Sequence, residues 1–242
     1  MTPRLAAALA LLLGGAAAQD APPVPFADAQ RPPEEAEKAD DPGRLAAALA
    51  VLARSGYLSE DSREKAYARA ALRKGLKHKE THVQLAAAKG YGTLRDPGSS
   101  RDLKALLRPG KAPLELVLAA IAAFGDIHDP GAHGELLALI KDVSDEPEAR
   151  DAAKAAADAL GHWRALEPRR RVRVIDDFMR VYDRLWGLAH KRAEADSPQV
   201  RWWNALERSL VACFNALTSQ RCEEYHDCKQ WWDANRSDFA KR

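Results

Sequence analysis

The stretch Val83-Gln-Leu-Ala-Ala-Ala-Lys-Gly-Tyr-Gly-Thr-Leu-Arg-Asp-Pro-Gly98 and the stretch Leu116-Val-Leu-Ala-Ala-Ile-Ala-Ala-Phe-Gly-Asp-Ile-His-Asp-Pro-Gly131 lie 33 residues apart and align without a gap. Leu85, Ala86, Ala87, Gly92, Asp96, Pro97 and Gly98 recur identically, Tyr91 meets Phe124, and Leu94 meets Ile127. The register runs on, with Leu103, Leu106 and Leu107 falling on Leu136, Leu139 and Ile140. A third, drifted copy, Ala155-Ala-Ala-Asp-Ala-Leu-Gly-His-Trp163, follows after 36 residues, and Asp41-Pro42-Gly43 resembles the end of an earlier one. Self-similarity at this period is the signature of stacked supersecondary units.

Each unit reads as two antiparallel helices. Leu85, Ala88 and Gly92 share one face at helical spacing, and their small side chains let a neighbouring helix approach closely. Asp-Pro-Gly then stops the helix, because proline removes a ladder donor and glycine turns freely. A Leu-x-x-Leu-Leu stripe marks the second helix. One such pair cannot bury its apolar face alone, so consecutive pairs must stack. The expected fold is all-α: an α-solenoid of antiparallel helix pairs with an aromatic-rich helical cap at the C-terminal end.

Composition agrees. Of 242 residues, 48 are alanine and only 7% are aromatic. Alanine favours helix and buries little area, so the core depends on close helix approach, and a sheet-based fold is not expected. The net charge of +2 and the three cysteines exclude a strongly basic nucleic-acid coat and a disulfide-dense scaffold.

On the repeat motif, Ala-Ala-x-x-Leu/Phe-Gly-x-Leu/Ile-x-Asp-Pro, the chain resembles the short bacterial form of the HEAT-like repeat family. The resemblance covers Val83 to Trp163 well and Asp41 to Lys77 weakly. It implies an interaction scaffold. Some relatives carry iron on paired His-Glu motifs, but this sequence contains no His-Glu dipeptide.

The N-terminus reads as an address. Arg4, the apolar run Leu5 to Leu13 and the small residues Ala16 and Ala18 fit a secretory signal over residues 1–18, cut after Ala18. The run is too short for a bilayer that needs ~20 apolar residues. Residues 19–42 follow; Asp20 to Asp41 hold five prolines, seven acids and two bases, which predicts a disordered acidic linker. From Pro42 onward 34 bases face 28 acids, so the acidic arm could lie across a basic body. Residues 43–163 are expected to form the solenoid and residues 164–242 the cap.

Five of the six tryptophans and all three cysteines lie beyond Pro168. Ile175, Phe178, Met179, Tyr182 and Trp186 trace one stripe; Val200, Trp203, Leu206, Leu210 and Phe214 trace another. Leu217-Thr-Ser-Gln220 with Trp231-Trp232-Asp-Ala-Asn235 is similar to a tail of exported bacterial HEAT-repeat proteins. Here Ser219 replaces a glycine, and Cys222 and Cys228 replace two aromatics; the resemblance implies that the cysteines substitute for that contact as a disulfide. Six residues of continuous helix would separate them by ~9 Å, so a Cys222–Cys228 bond requires the last helix to begin near Asp227. That pairing leaves Cys213 buried beside Phe214. A Cys213 linkage, or a zinc site from Cys213, Cys222, His226 and Cys228 with irregular spacing, stays open.

His78 and His82 have the spacing of a metal-binding helix, but Glu80 sits at the wrong offset for a His-Glu-x-x-His site, no third ligand is near in sequence, and the segment reads as a surface loop at a helix–helix junction. His128, His133 and His162 fall at turns and are expected to be exposed. Two basic clusters stand out: Arg63, Lys65, Arg69, Arg73, Lys74, Lys77 and Lys79, then Arg164, Arg169, Arg170, Arg171 and Arg173. Arg69, Arg73, Lys77, Arg169, Arg170 and Arg171 are the candidate surface for an anionic partner. The functional expectation is a non-catalytic scaffold that binds a protein partner, with no cofactor, exported to a periplasmic or extracellular location. The alternatives are a metal-dependent enzyme or subunit and an anionic-polymer binder; export argues against nucleic acid.

Overall fold

The computed structural model describes residues 24–107, 110, 112–129, 131–191, 193–239 and 241. The expected signal peptide and the first residues of the expected linker lie outside them. Every regular element among the described residues is helical. The chain forms two compact units, divided between Asp102 and Leu103.

The first unit contains α1 (Phe26–Lys38), α2 (Pro42–Leu58), α3 (Ser62–Leu76) and α4 (Thr81–Leu94). Asp41 caps α2 by accepting from the Arg44 N–H at 3.0 Å, and Asp61 caps α3 through Arg63 at 2.8 Å. α2 packs on α1 and on α4, and α3 packs on α2 and α4. Small residues set the approach: a β-carbon at Gly90 would lie 2.5 Å from Leu72 Cδ2 and 3.4 Å from Ala53 Cβ.

The first correction concerns α1, which occupies the stretch expected to be a disordered linker. Its prolines and acids suggested an extended chain, yet Phe26, Ala29, Pro33 and Ala36 fall on one face and are buried against α2. Pro32 and Pro33 sit inside the helix and forfeit two ladder donors. The docked apolar stripe compensates, together with a Ser55 hydroxyl donating to the Val24 carbonyl at 2.9 Å. The acids face the basic helix: Glu34 accepts from Tyr67 at 2.8 Å, and Lys74 meets Glu37 at 2.7 Å.

The one-turn helix α5 (Ser100–Leu103) carries the chain into the second unit. That unit holds α6 (Leu114–Ile127), α7 (His133–Lys141), α8 (Pro147–Gly161), α9 (Pro168–Lys191), α10 (Pro198–Thr218) and α11 (Tyr225–Phe239), plus short 3-10 turns. α6, α8 and α10 stack in sequence as one row, while α7, α9 and α11 stack as the other. Two layers of helices, paired in chain order, are the expected repeat packing.

The recurrence extends to the backbone. Arg95 ends α4 in the left-handed region at φ 51°, and His128, its partner 33 residues on, ends α6 at φ 53°. Gly125 explains its own recurrence: a β-carbon there would lie 3.0 Å from the Ala159 Cα, Cβ and carbonyl oxygen. Gly161 repeats the device one layer later, 3.2 Å from Ala216 Cβ.

The expected aromatic-rich helices are present at the C-terminal end and close the stack. α10 lies on α8 as α8 lies on α6, and the Trp202 Nε1 donates to the Ile140 carbonyl at 3.0 Å. The break in composition marks a change of filling, from alanine to aromatics, within one stack. Tyr182 stacks on Trp203 at 5.6 Å, and Trp186 stacks on Tyr225 at 5.0 Å.

Burial, reinforced by Asp102, raises the pKa of Tyr91, and burial likewise raises Tyr182. A folded pKa above the unfolded value stabilises the fold below about pH 10 and loses that contribution as pH rises through the folded pKa. In an alkaline titration, phenolate absorbance from these two tyrosines is therefore expected to appear together with loss of helical circular dichroism. Full ionisation with helicity intact would contradict their burial.

Candidate functional site

The structure separates the two basic clusters. On α3, Arg69 donates to Asp96 at 2.7 Å, and Arg73 donates to Asp102 at 2.9 Å. These contacts lock a turn: the Arg69 Nη1 would lie 2.0 Å from a β-carbon at Gly98, so the Asp96-Pro97-Gly98 bend is built around the guanidinium. Tyr91 donates to the second oxygen of Asp102 at 2.9 Å, which ties α3 to α4. The carboxylate and its hydrogen bond raise the Arg73 pKa and compensate its charge. Arg69 and Arg73 are thus corrected from candidate anion ligands to structural groups. Lys77 remains exposed at the end of α3.

The start of α9 is different. Pro168-Arg169-Arg170-Arg171-Val172-Arg173 opens a 24-residue helix with no acid in its first turn. Arg171 turns inward. It donates to the Arg164 carbonyl at 2.7 Å and lies 4.9 Å over the Phe239 ring, and burial lowers its pKa. It holds α11 against the start of α9, so it too is corrected from ligand to structural residue.

Arg169, Arg170 and Arg173 are exposed, and among the described residues none of them meets a carboxylate. Their i, i+3 and i, i+4 spacing puts Arg173 beside both of the others on one helical face. Exposed Arg164 lies in the turn just before. Like charges so spaced repel by a few tenths of a kcal/mol per pair, and cations at a helix N-terminus oppose the helix dipole. Glu167 directly precedes the helix, but among the described residues none of the three arginines is in an ion pair, so the cluster is set to attract an anion. The sequence marked Arg169 and Arg170 but omitted Arg173 from the candidate surface; helical phasing was the available signal.

One histidine departs from expectation. His78 lies in the connection between α3 and α4, where its Nδ1 accepts from the Glu80 N–H at 3.1 Å, while His82 is in the first turn of α4. They do not share a helix face. His133 is mostly buried rather than exposed; its Nε2 lies 2.7 Å from the Asp177 Oδ2, linking α7 to α9. Cys213, Cys222 and Cys228 are free thiols, with Cys213 and Cys228 buried. Among the described residues, no three His, Cys, Asp or Glu side chains are grouped to hold a metal ion.

In the first unit a cleft of about 260 Å³ opens between α1, α2 and α3. Leu45, Leu49 and Ala71 line it, as does the Lys74–Glu37 ion pair. No helix among the described residues is long and apolar enough to cross a membrane.

No family profile and no curated protein matches the chain. Among solved structures, it is similar to the crystal structure of an engineered protein from the Northeast Structural Genomics Consortium, at 15% identity and a TM-score of 0.43. That likeness covers 88% of this chain and 96% of the other.

Proposed function

We propose that the protein is a non-catalytic interaction scaffold of the HEAT-like type, exported from the cell, whose second unit binds an acidic segment of a partner protein. The observation that supports this reading is the uncompensated arginine face at the start of α9: Arg169, Arg170 and Arg173, with Arg164 beside them. By contrast, Arg69 is matched with Asp96, Arg201 with Asp145 and Arg236 with Asp176. Three arginines without an ion pair on one helical face suit binding better than folding.

The compactness of the cluster favours a short acidic peptide over a long polymer. A polymer would run along an extended basic track. Here Arg180, further along α9, is already held by Asp177, and Arg236 on α11 by Asp176.

Charge reversal provides the test. A fluorescent peptide rich in Asp and Glu is titrated with the full chain and with the R169E/R170E/R173E variant. The variant is expected to bind at least tenfold more weakly, with wild-type affinity falling as salt rises. Equal binding by the variant would overturn the assignment of the face. Tighter binding of heparin or polyphosphate than of the peptide would replace the protein partner with an anionic polymer.

A further inference from the structure

The link between α10 and α11 brings two thiols together. Cys222 lies outside both helices and is clamped by Asn215 of α10, whose Nδ2 donates to the Cys222 carbonyl at 2.9 Å. The Cys222 N–H returns a bond to the Asn215 Oδ1 at 2.8 Å. Cys228, on the first turn of α11, is fully buried, and the two thiols lie near enough for each to perturb the other's ionisation. α11 begins at Tyr225, two residues before the expected start near Asp227, and leaves Cys222 in non-helical chain. Cys213 faces elsewhere. Its Cα lies 3.9 Å from where a Gly161 β-carbon would be, and its thiol is buried toward α8.

We propose that Cys222 and Cys228 are joined as a disulfide in the mature protein, and that the bond forms before α11 docks. The pairing rests on the clamp that fixes Cys222 in non-helical chain and on the placement of Cys228 in the first turn of α11 next to it. The timing rests on burial. Only a thiolate attacks a disulfide, and in the folded unit burial raises the pKa of both thiols. In the undocked chain both thiols are exposed. The Cys222 thiolate attacks a disulfide-bearing oxidant, forming a mixed disulfide and releasing one oxidant thiol. The Cys228 thiolate then attacks the Cys222 sulfur, and the second oxidant thiol leaves. Two protein thiols become one disulfide, and one oxidant disulfide becomes two thiols. After docking, the Cys228 sulfur is buried and only the half-exposed Cys222 sulfur faces reductants, so the bond staples α11 to its link. It fixes the start of the helix that delivers Tyr225 to the aromatic cluster and to Asp183, 2.8 Å away.

The test refolds the full chain from denaturant with a mixture of oxidised and reduced glutathione, then blocks free thiols under denaturing conditions and maps peptides without reduction. The expected result is a Cys222–Cys228 link with Cys213 blocked as a free thiol. Three blocked thiols, or any link to Cys213, would overturn the proposal. Thermal melts separate the bond from packing. Reductant present during folding, C222S and C228S are each expected to lower the oxidised protein's Tm by roughly 5 °C, from a loop of this length. C222S in an unreduced melt should match wild type folded with reductant. If C222S lowers the Tm equally with reductant present throughout, the contribution is packing and the bond is refuted.

Discussion

Replacing Trp202 by alanine is expected to destabilise the second unit by about 3–5 kcal/mol, the range for truncating a buried tryptophan. Trp202 is 1% exposed. Its ring fills the space where α10 meets the preceding helices, and its Nε1 satisfies the Ile140 carbonyl at the end of α7. The alanine variant therefore leaves a cavity and an orphaned carbonyl together. In a unit of this size the Tm should fall by roughly 10 °C. Trp202→Phe separates the two effects: it retains most of the buried area but loses the hydrogen bond, at a cost of about 1–3 kcal/mol. Circular dichroism melts of the three proteins check both figures. A Trp202→Ala variant as stable as wild type would mean that α10 does not dock on this stack.

The next largest effect is expected at Gly125. Leucine there places its Cβ 3.0 Å from the backbone of Ala159, and backbone cannot rotate away as a side chain can. α6 and α8 must separate, at about 3 kcal/mol or more. Gly187, inside α9, is the contrasting site, because a β-carbon there meets nothing within 4 Å. Gly187→Ala should stabilise by up to ~1 kcal/mol, since alanine is the better helix former. Opposite signs at two helical glycines would establish that the recurrent glycine is an approach point between layers. Destabilisation at both would point instead to a general intolerance of change.

The repeated layers were legible because the constraint that creates them recurs in sequence. Gly125 and the Asp-Pro-Gly bends occupy fixed places in a fixed period, and the left-handed Arg95 and His128 show that the backbone obeys it. Helix α1 was not legible. Its buried stripe of Phe26, Ala29, Pro33 and Ala36 is weakly apolar and acquires meaning only once α2 is present to cover it.

The aromatic cap was legible in the stripes Ile175 to Trp186 and Val200 to Phe214, but not that its helices extend the same two rows. Trp202 and Trp203 do the work that alanines do earlier in the chain, so composition changes while packing does not. In the candidate site, charge alone grouped Arg69, Arg73 and Arg171 with Arg169 and Arg170. Their roles diverge through partners remote in sequence: Asp96 is 27 residues from Arg69, and the Phe239 ring under Arg171 belongs to the last helix. A residue list cannot show which charges have been neutralised by the fold.

The central structural claim is that residues beyond Trp163 continue the stack, so that the arginine face at the start of α9 is carried by a single cooperative unit. Native-state hydrogen exchange under increasing denaturant tests it most directly. The slowest amides of α6, α8 and α10 should merge into one opening of common free energy, and Trp202→Ala should lower it for all three. Exchange from α9, α10 and α11 in an earlier, separate step, with α6 and α8 unaffected by the substitution, would contradict it.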